Sequence, residues 1–326
     1  FTGGTGNDTY NAALSGGSQT LNSLDQLTGG AGTDTLNVEL NTSVTPASLS
    51  GIENVVATFS GSTTLTLSNA ADVTSVAVQS SSSNGTVASI GAGATLAVTD
   101  QSAGVTFNYA DTSGTADSAT LTLNNVSGSA GITIAGVETL NVVSSTATNT
   151  VSLAGAAVTT LNVSGSKTLA LATSTITPTT IDASAATAGF NMTPIASAAT
   201  TQIGGSGADT LVGGTTNDVL TGNAGNDRIT SGGGNDNINA GAGNDTITMA
   251  ATLTSADTIV GGDGTDTISV DAGTSVTNVM FTNVSGVEAL TLATAGTATL
   301  GALAQAAGIV TVTGSAASST VSASAY

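Results

Sequence analysis

The chain has 326 residues, with 21 acidic side chains against two basic ones, Lys167 and Arg228, for a formal charge of -19. That balance argues against nucleic acid and against anionic membrane surfaces, both of which need cationic partners. Cysteine and histidine are absent, which removes disulfides, thiol and imidazole catalysis and nearly every zinc site.

Aromatic residues are only 2% and glycine occurs 42 times, so the core must be Val, Leu, Ile, Ala and Thr between tight turns. No apolar run approaches the ~18 residues that cross a bilayer. The start, FTGGTGNDTY, falls inside a repeat, and the end at Ser324, Ala325 and Tyr326 carries no recognisable signal. The sequence therefore reads as a fragment lacking both native termini.

In chain order, the first motif is GGTGNDTYN over residues 3–11, with Asp8. Next comes LDQLTGGAGTDTLNV, where Asp25 precedes Asp34 by nine residues, followed by LSGIENV around Glu53. From about 58 to 202 the chain is a series of short alternating runs: TTLTLSN, TSVAVQS, TLAVTD, VTFNYA, TTLNVSG and KTLALAT. Period-two apolar residues between Gly, Ser or Asn turns predict strands. IAGVETLNV surrounds Glu138 in this stretch. No helix beyond two turns is expected, although AGAAV and ALAQAAG suit short ones.

Residues 204–248 then read GGSGADTLV, GGTTNDVLT, GNAGNDRIT, SGGGNDNIN, AGAGNDTIT: five nonapeptides without a slip. Asp209, Asp218, Asp227, Asp236 and Asp245 recur every nine residues, each followed two positions later by Leu211, Leu220, Ile229, Ile238 or Ile247. A further copy, GGDGTDTIS, carries Asp263 and Asp266, with Asp257 nine residues before Asp266. VSGVEAL follows, around Glu288. Three of the four glutamates thus sit in a Gly-Ile-Glu or Gly-Val-Glu element. They read either as extra cation ligands or as turn acids bonding backbone N–H groups. The lack of a partner acid at a fixed offset favours the second.

The in-phase block resembles the G-G-x-G-x-D-x-U-x repeat of RTX proteins, where U is a large aliphatic. The resemblance implies an all-β, right-handed parallel β-roll or β-solenoid with RTX calcium-binding turns. Two nonapeptides then make one coil, and residue i stacks on i+18 about 4.8 Å away. Asp209, Asp227 and Asp245 should line one edge, with Asp218 and Asp236 on the other. Carboxylates about 5 Å apart repel by roughly 0.8 kcal/mol in water and about 3 kcal/mol at an effective dielectric near 20. A divalent cation between them reverses the sign. Ca²⁺ suits an all-oxygen, flexible site that includes carbonyls better than Mg²⁺ does.

Carried over from the family, one calcium site resembles Gly204, Ser206 and Asp209 with Asn223, Gly225 and Asp227. A second is Gly213, Thr215 and Asp218 with Gly232, Gly234 and Asp236. A third is Gly222, Ala224 and Asp227 with Gly241, Gly243 and Asp245. Asp8, Asp25, Asp34, Asp257, Asp263 and Asp266 are the candidates outside the block. The chain departs from the pattern at Thr216, Asn223 and Ser231, and the β-branched Thr216 resists the positive φ of the glycine it replaces.

The succession of Gly-Gly-x-Gly-x-Asp repeats and Ser-Gly-Ile-Glu elements resembles RTX-type surface-layer proteins of Gram-negative bacteria. The organisation implied is an RTX-like module over 1–58, non-RTX solenoid coils over 59–202, a calcium β-roll over 203–270 and distal coils over 271–326. The function implied is a structural component of a surface layer. It would be exported by type I secretion, located extracellularly on the cell surface, and self-associated into a two-dimensional lattice. Polysaccharide contacts would lie outside this fragment. The alternatives are an RTX adhesin and a calcium-folding accessory module of a secreted enzyme. No enzyme is expected in the chain itself. Lys167 beside Ser164 and Ser166 reads as a solvated charge, and Tyr10, Tyr109 and Tyr326 form no pattern.

Overall fold

The computed structural model describes residues 1–127, 130–192, 199–249, 253–270, 275–292, 296–314 and 319–323. Tyr326 and its two predecessors therefore lie outside the described residues. The chain divides into two compact units. The first is Phe1–Asn162 with Leu169–Ile176, and the second is Val163–Thr168 with Thr177–Tyr326.

In the first unit, successive strands alternate between two parallel sheets. One contains Thr9–Ala12, Thr35–Leu40, Asn54–Phe59, Ser75–Gln79, Thr95–Thr99, Ser118–Asn124 and Thr139–Ser144. The other contains Thr63–Thr66, Gly85–Ile90, Val105–Tyr109, Ala130–Ala135, Asn149–Ala154 and Leu169–Leu171. Strand n pairs with strand n+2, which is the wiring of a parallel β-solenoid. The alternating runs seen in the sequence supply these strands.

Period-two patterning decides what faces inward. Leu36, Val55, Val76, Leu96, Leu121 and Val142 sit in one register across six successive coils. Each is at most 1% exposed. Burying one such aliphatic side chain contributes about 1.5–3 kcal/mol. A column of them therefore fixes register, because a one-residue slip would turn every member outward. Thr64, Thr86, Thr106 and Thr133 form a matching outward row on the other sheet.

The second unit repeats the plan with shorter strands. Thr210–Val212, Arg228–Thr230, Thr246–Met249, Thr267–Val270 and Ala289–Leu292 are consecutive in one sheet. Thr201–Ile203, Val219–Thr221, Asn237–Ala242 and Thr258–Asp263 are consecutive in the other. Leu211 on Ile229 on Ile247, and Leu220 on Ile238, confirm that residue i stacks on i+18 in this block. After it the pairing step lengthens, so that Asn237 meets Thr258 and Thr246 meets Thr267.

A six-residue helix, Ala302–Ala307, forms where ALAQAAG suggested one, and ends on Gly308 at φ 107°. The other short helix anticipated, AGAAV, is instead the end of strand Asn149–Ala154 and a turn. Its alternating predecessors draw it into the sheet. No helix among the described residues is long and apolar enough to cross a membrane.

Phe59 is fully buried, and a Cβ on Gly85 would overlap its ring. Gly91 has only Val73 O near its Cβ position, at 3.8 Å. Gly85→Ala should therefore cost about 1–3 kcal/mol through overpacking, whereas Gly91→Ala should stay near neutral. Thermal unfolding of the two variants in calcium checks this difference.

Candidate metal centre

Each nonapeptide turn of the 204–248 block brings its aspartate to a coil corner, beneath an aspartate of the next coil. In the first column, Asp209 N–H donates to Asp227 Oδ1 at 2.8 Å and Asp227 N–H to Asp245 Oδ1 at 2.7 Å. Asp245 N–H continues it to Asp266 Oδ1 at 2.8 Å. In the second, Asp218 N–H donates to Asp236 Oδ1 at 3.0 Å and Asp236 N–H to Asp257 Oδ1 at 2.9 Å. The first acid of each column meets non-acidic residues: Asp209 Oδ1 accepts Phe190 N–H, and Asp218 Oδ1 accepts Thr200 N–H. In the first unit, Asp8 N–H donates to Asp34 Oδ1 at 2.6 Å.

A second ladder runs outside the first and in the opposite sense. Asn7, Asn217, Asn226 and Asn244 accept, through Oδ1, the N–H of the corresponding residue one coil later. In an Asn-Asp turn, the asparagine thus reaches forward along the stack and the aspartate reaches back. The pattern was visible in the sequence only as a recurring pair of residues.

The second carboxylate oxygen sorts the turns into two kinds. Asp8, Asp209 and Asp218 each hold it on an N–H of their own loop, from Gly4, Gly205 and Gly214. Thr216 sits in one of these loops and does not adopt positive φ, so the departure from glycine carries no strain there. In contrast, the loops of Asp227 and Asp245 turn through positive φ at Asn223 (73°), Gly241 (111°) and Gly243 (138°). Asp227 Oδ2 and Asp245 Oδ2, with Asp34 Oδ2, Asp117 Oδ2 and Asp266 Oδ2, are buried without a hydrogen-bond partner. An ionised carboxylate left this way costs several kcal/mol unless a proton or a cation meets it.

Glycine at the first position of the turn leaves room beside that oxygen. A Cβ on Gly222 would collide with both Asp227 Oδ2 and the Ala240 carbonyl oxygen of the next coil. One on Gly204 would lie 2.5 Å from Asp209 Oδ2 and 2.6 Å from the Gly222 carbonyl oxygen. The space is thus walled by a carboxylate of one coil and a carbonyl of the next. No three acidic side chains among the described residues converge closely enough to hold a metal ion by themselves. A cation here would therefore be held by paired acids and backbone carbonyls, a donor set that fits Ca²⁺.

Burial raises the Asp227 carboxyl to about 7, with the charges of Asp209 and Asp245 adding to the shift. The Asp236 carboxyl rises to about 6, again chiefly by desolvation, with Asp218 and Asp257 adding. Asp209, Asp245 and Asp266 are also raised, mainly by burial.

The remaining candidates are placed differently. Asp25 has no acid stacked on it: its Oδ2 accepts Asn22 N–H and its carbonyl accepts the Ala47 and Ser48 amides. The Asp263 side chain is exposed, while its carbonyl accepts Gly243 N–H. Ser206, Thr215 and Ala224 lie in the corner loops, with Ala224 bridging to Ala242 in the next coil. Tyr10 and Tyr109 donate their hydroxyls to the Thr28 and Ala94 carbonyls.

Each Gly-Ile-Glu or Gly-Val-Glu glutamate has an aspartate partner after all. Glu53, Glu138 and Glu288 accept through Oε2 the N–H of Asp34, Asp117 and Asp266, at 2.7, 2.8 and 2.8 Å. Each thus bonds a backbone N–H at a coil corner, the contact expected of a turn acid. Their partners escaped notice because the offsets are 19, 21 and 22 residues. Asp117, in the glycine-poor stretch TSGTADSAT, was missed altogether. Its position one coil before Glu138 was the signal available.

The RTX calcium-binding nonapeptide repeat family matches four segments, residues 23–40, 203–238, 212–247 and 252–276. This chain carries RTX calcium-binding repeats. The matches and the parallel β-solenoid together fit an RTX-type protein. No curated protein matches the chain.

The pH response of the RTX columns should depend on calcium. In calcium-free protein, folded Asp227 keeps its proton up to about 7, whereas the unfolded chain loses it near 3.8. That contribution is fully present below the unfolded value and is lost as pH rises through the folded one. Apo stability should therefore fall between these two pH values. With calcium bound, protons compete for the same oxygens and the slope should invert. Unfolding midpoints against pH, with and without calcium, check this, and Asp227→Asn should flatten both slopes.

Proposed function

We propose that this chain is a calcium-folded structural segment of a secreted bacterial protein, a component of an RTX-type surface layer. The supporting observation is the pair of stacked aspartate columns, one of which carries buried, orphaned oxygens at Asp227, Asp245 and Asp266, with carbonyls of the following coil beside Asp227 and Asp266. At low calcium these columns repel and desolvate charge, which opposes folding. Outside the cell, calcium held by Asp209, Asp227, Asp245 and Asp266, and by Asp218, Asp236 and Asp257 with loop carbonyls, turns the columns attractive. A tenfold excess over the dissociation constant contributes about 1.4 kcal/mol per ion. Several ions therefore switch the fold, which suits export of an unfolded chain by a type I route.

The reading is non-catalytic. The chain has one lysine and one arginine and no histidine or cysteine, and the hydroxyls of Tyr10 and Tyr109 donate to backbone carbonyls. The three Gly-Ile/Val-Glu elements and the long stretch of coils outside the RTX block favour a surface-layer unit over an adhesin or an accessory module. Two-dimensional self-association is part of this proposal, with any polysaccharide contact made by regions outside the chain.

Circular dichroism with sedimentation, during a titration from chelator to millimolar calcium, tests it. Coil-to-β folding accompanied by growing assemblies is the expected result. Folding to a stable monomer would transfer the reading to an adhesin or accessory module. Full β structure in chelator would remove calcium as the switch.

A further inference from the structure

Among the described residues, three of the five orphaned aspartate oxygens, those of Asp34, Asp117 and Asp266, belong to turns followed by a Gly-Ile-Glu or Gly-Val-Glu element rather than by another nonapeptide. We propose that the elements at Gly51–Ile52–Glu53 and Gly286–Val287–Glu288 each complete a divalent-cation site with the preceding aspartate, closing its calcium column on a glutamate. The proposal rests on calcium binding by the tandem columns and extends it to sequence that is not a nonapeptide.

The geometry reproduces that of the tandem sites. A Cβ on Gly29 would collide with both Asp34 Oδ2 and the Gly51 carbonyl oxygen. A Cβ on Gly261 would collide with the Gly286 carbonyl oxygen and lie 2.8 Å from Asp266 Oδ2. Gly222 stands in the same relation to Asp227 Oδ2 and the Ala240 carbonyl. Gly51 and Gly286 therefore take the place of a first-position residue in the next turn. Glu53 and Glu288 take the place of its aspartate, since each accepts the backbone N–H that an aspartate accepts elsewhere in the stack.

The sequence spacing explains why the acid is glutamate. In a nonapeptide the aspartate lies five residues after the first glycine, as in Gly29 to Asp34, but Gly51 and Glu53 are only two apart. The corner is three residues shorter, and the longer side chain reaches back across the gap. The shortcut needs a left-handed turn, and Gly51 and Gly286 have φ of 59° and 61°. Asp72 Oδ2 accepts Gly51 N–H at 2.7 Å, tying this turn to the following coil.

The unpartnered oxygens supply the independent indication of a ligand. Asp34 and Asp266 are 0% exposed, and each presents a buried Oδ2 with no donor to the space beside a carbonyl oxygen. Two acids and a carbonyl, all oxygen and net anionic, select a hard divalent cation, with calcium preferred over magnesium for its tolerance of irregular geometry. Asp117 and Glu138 repeat the amide contact in the first unit, with Gly136 at φ 78°, but Thr112 stands where Gly29 and Gly261 do in the two sites proposed.

Counting bound calcium by equilibrium dialysis on the whole chain tests this. Glutamine keeps an acceptor for the aspartate N–H but removes the charge. Glu53→Gln and Glu288→Gln should therefore each lose one ion, and the double variant two, with β content at saturating calcium unchanged. Wild-type stoichiometry and midpoints in both variants would overturn the proposal while leaving the tandem sites standing. Should the variants fail to fold, wild-type crystals grown in calcium decide by anomalous scattering. Ions beside Asp34 and Asp266, between the aspartate and the glycine carbonyl, support the proposal. Filled tandem turns with none there overturn it. No calcium anywhere overturns the tandem reading as well.

Discussion

Everything in the second unit depends on carboxylates stacked one coil apart inside a wall of backbone. Each aspartate uses one oxygen to hold the amide of the coil before it, so the columns are part of the hydrogen-bonded frame and cannot swing into water. The second oxygen is buried with them. The frame that positions the acids thereby creates the charge problem that a hard cation solves, and stability and ion binding become one property. The raised carboxyl of Asp227 expresses the same coupling: a site that resists ionisation when empty is stabilised by whatever cation meets it.

The first unit shows what the solenoid looks like when this device is nearly absent. There the coils are held by columns such as Leu36, Val55, Val76, Leu96, Leu121 and Val142, with longer strands and more apolar contact per coil. In the RTX block, strands of three residues bury one aliphatic each, as at Leu211 or Ile229. The two halves of the design trade hydrophobic area against metal-bridged charge. Apolar packing carries the stack in the first unit, while the acid columns of the second add a donor set suited to a hard cation.

Much of this was legible in the residues because the repeat is strict where the physics is strict. A nine-residue period fixed the columns Asp209–Asp227–Asp245 and Asp218–Asp236, and the aliphatic two positions on fixed what is buried. Period two marked the strands between 58 and 202. What escaped were interactions whose sequence spacing varies. The pairing of Glu53 with Asp34 and of Glu288 with Asp266 depends on corner lengths that differ from coil to coil, so no constant offset betrays it. Asp117 was hidden by the loss of the flanking glycines. Thr216 looked more out of place than Asn223, yet it is Asn223 that has to turn. Asparagine adopts the left-handed turn, while threonine lies in a loop that does not require one.

The same amide-to-carboxylate contact spans 26 residues between Asp8 and Asp34, 18 between Asp209 and Asp227, and 21 between Asp245 and Asp266. Coil length is therefore uncoupled from register: extra residues bulge at a corner and the ladder closes over them unchanged. A protein built this way can acquire or shed surface loops by insertion and deletion without disturbing its neighbours in the stack. The corners away from the acid columns are then where such a molecule is free to diversify its outer face, while the columns hold the count of coils in step.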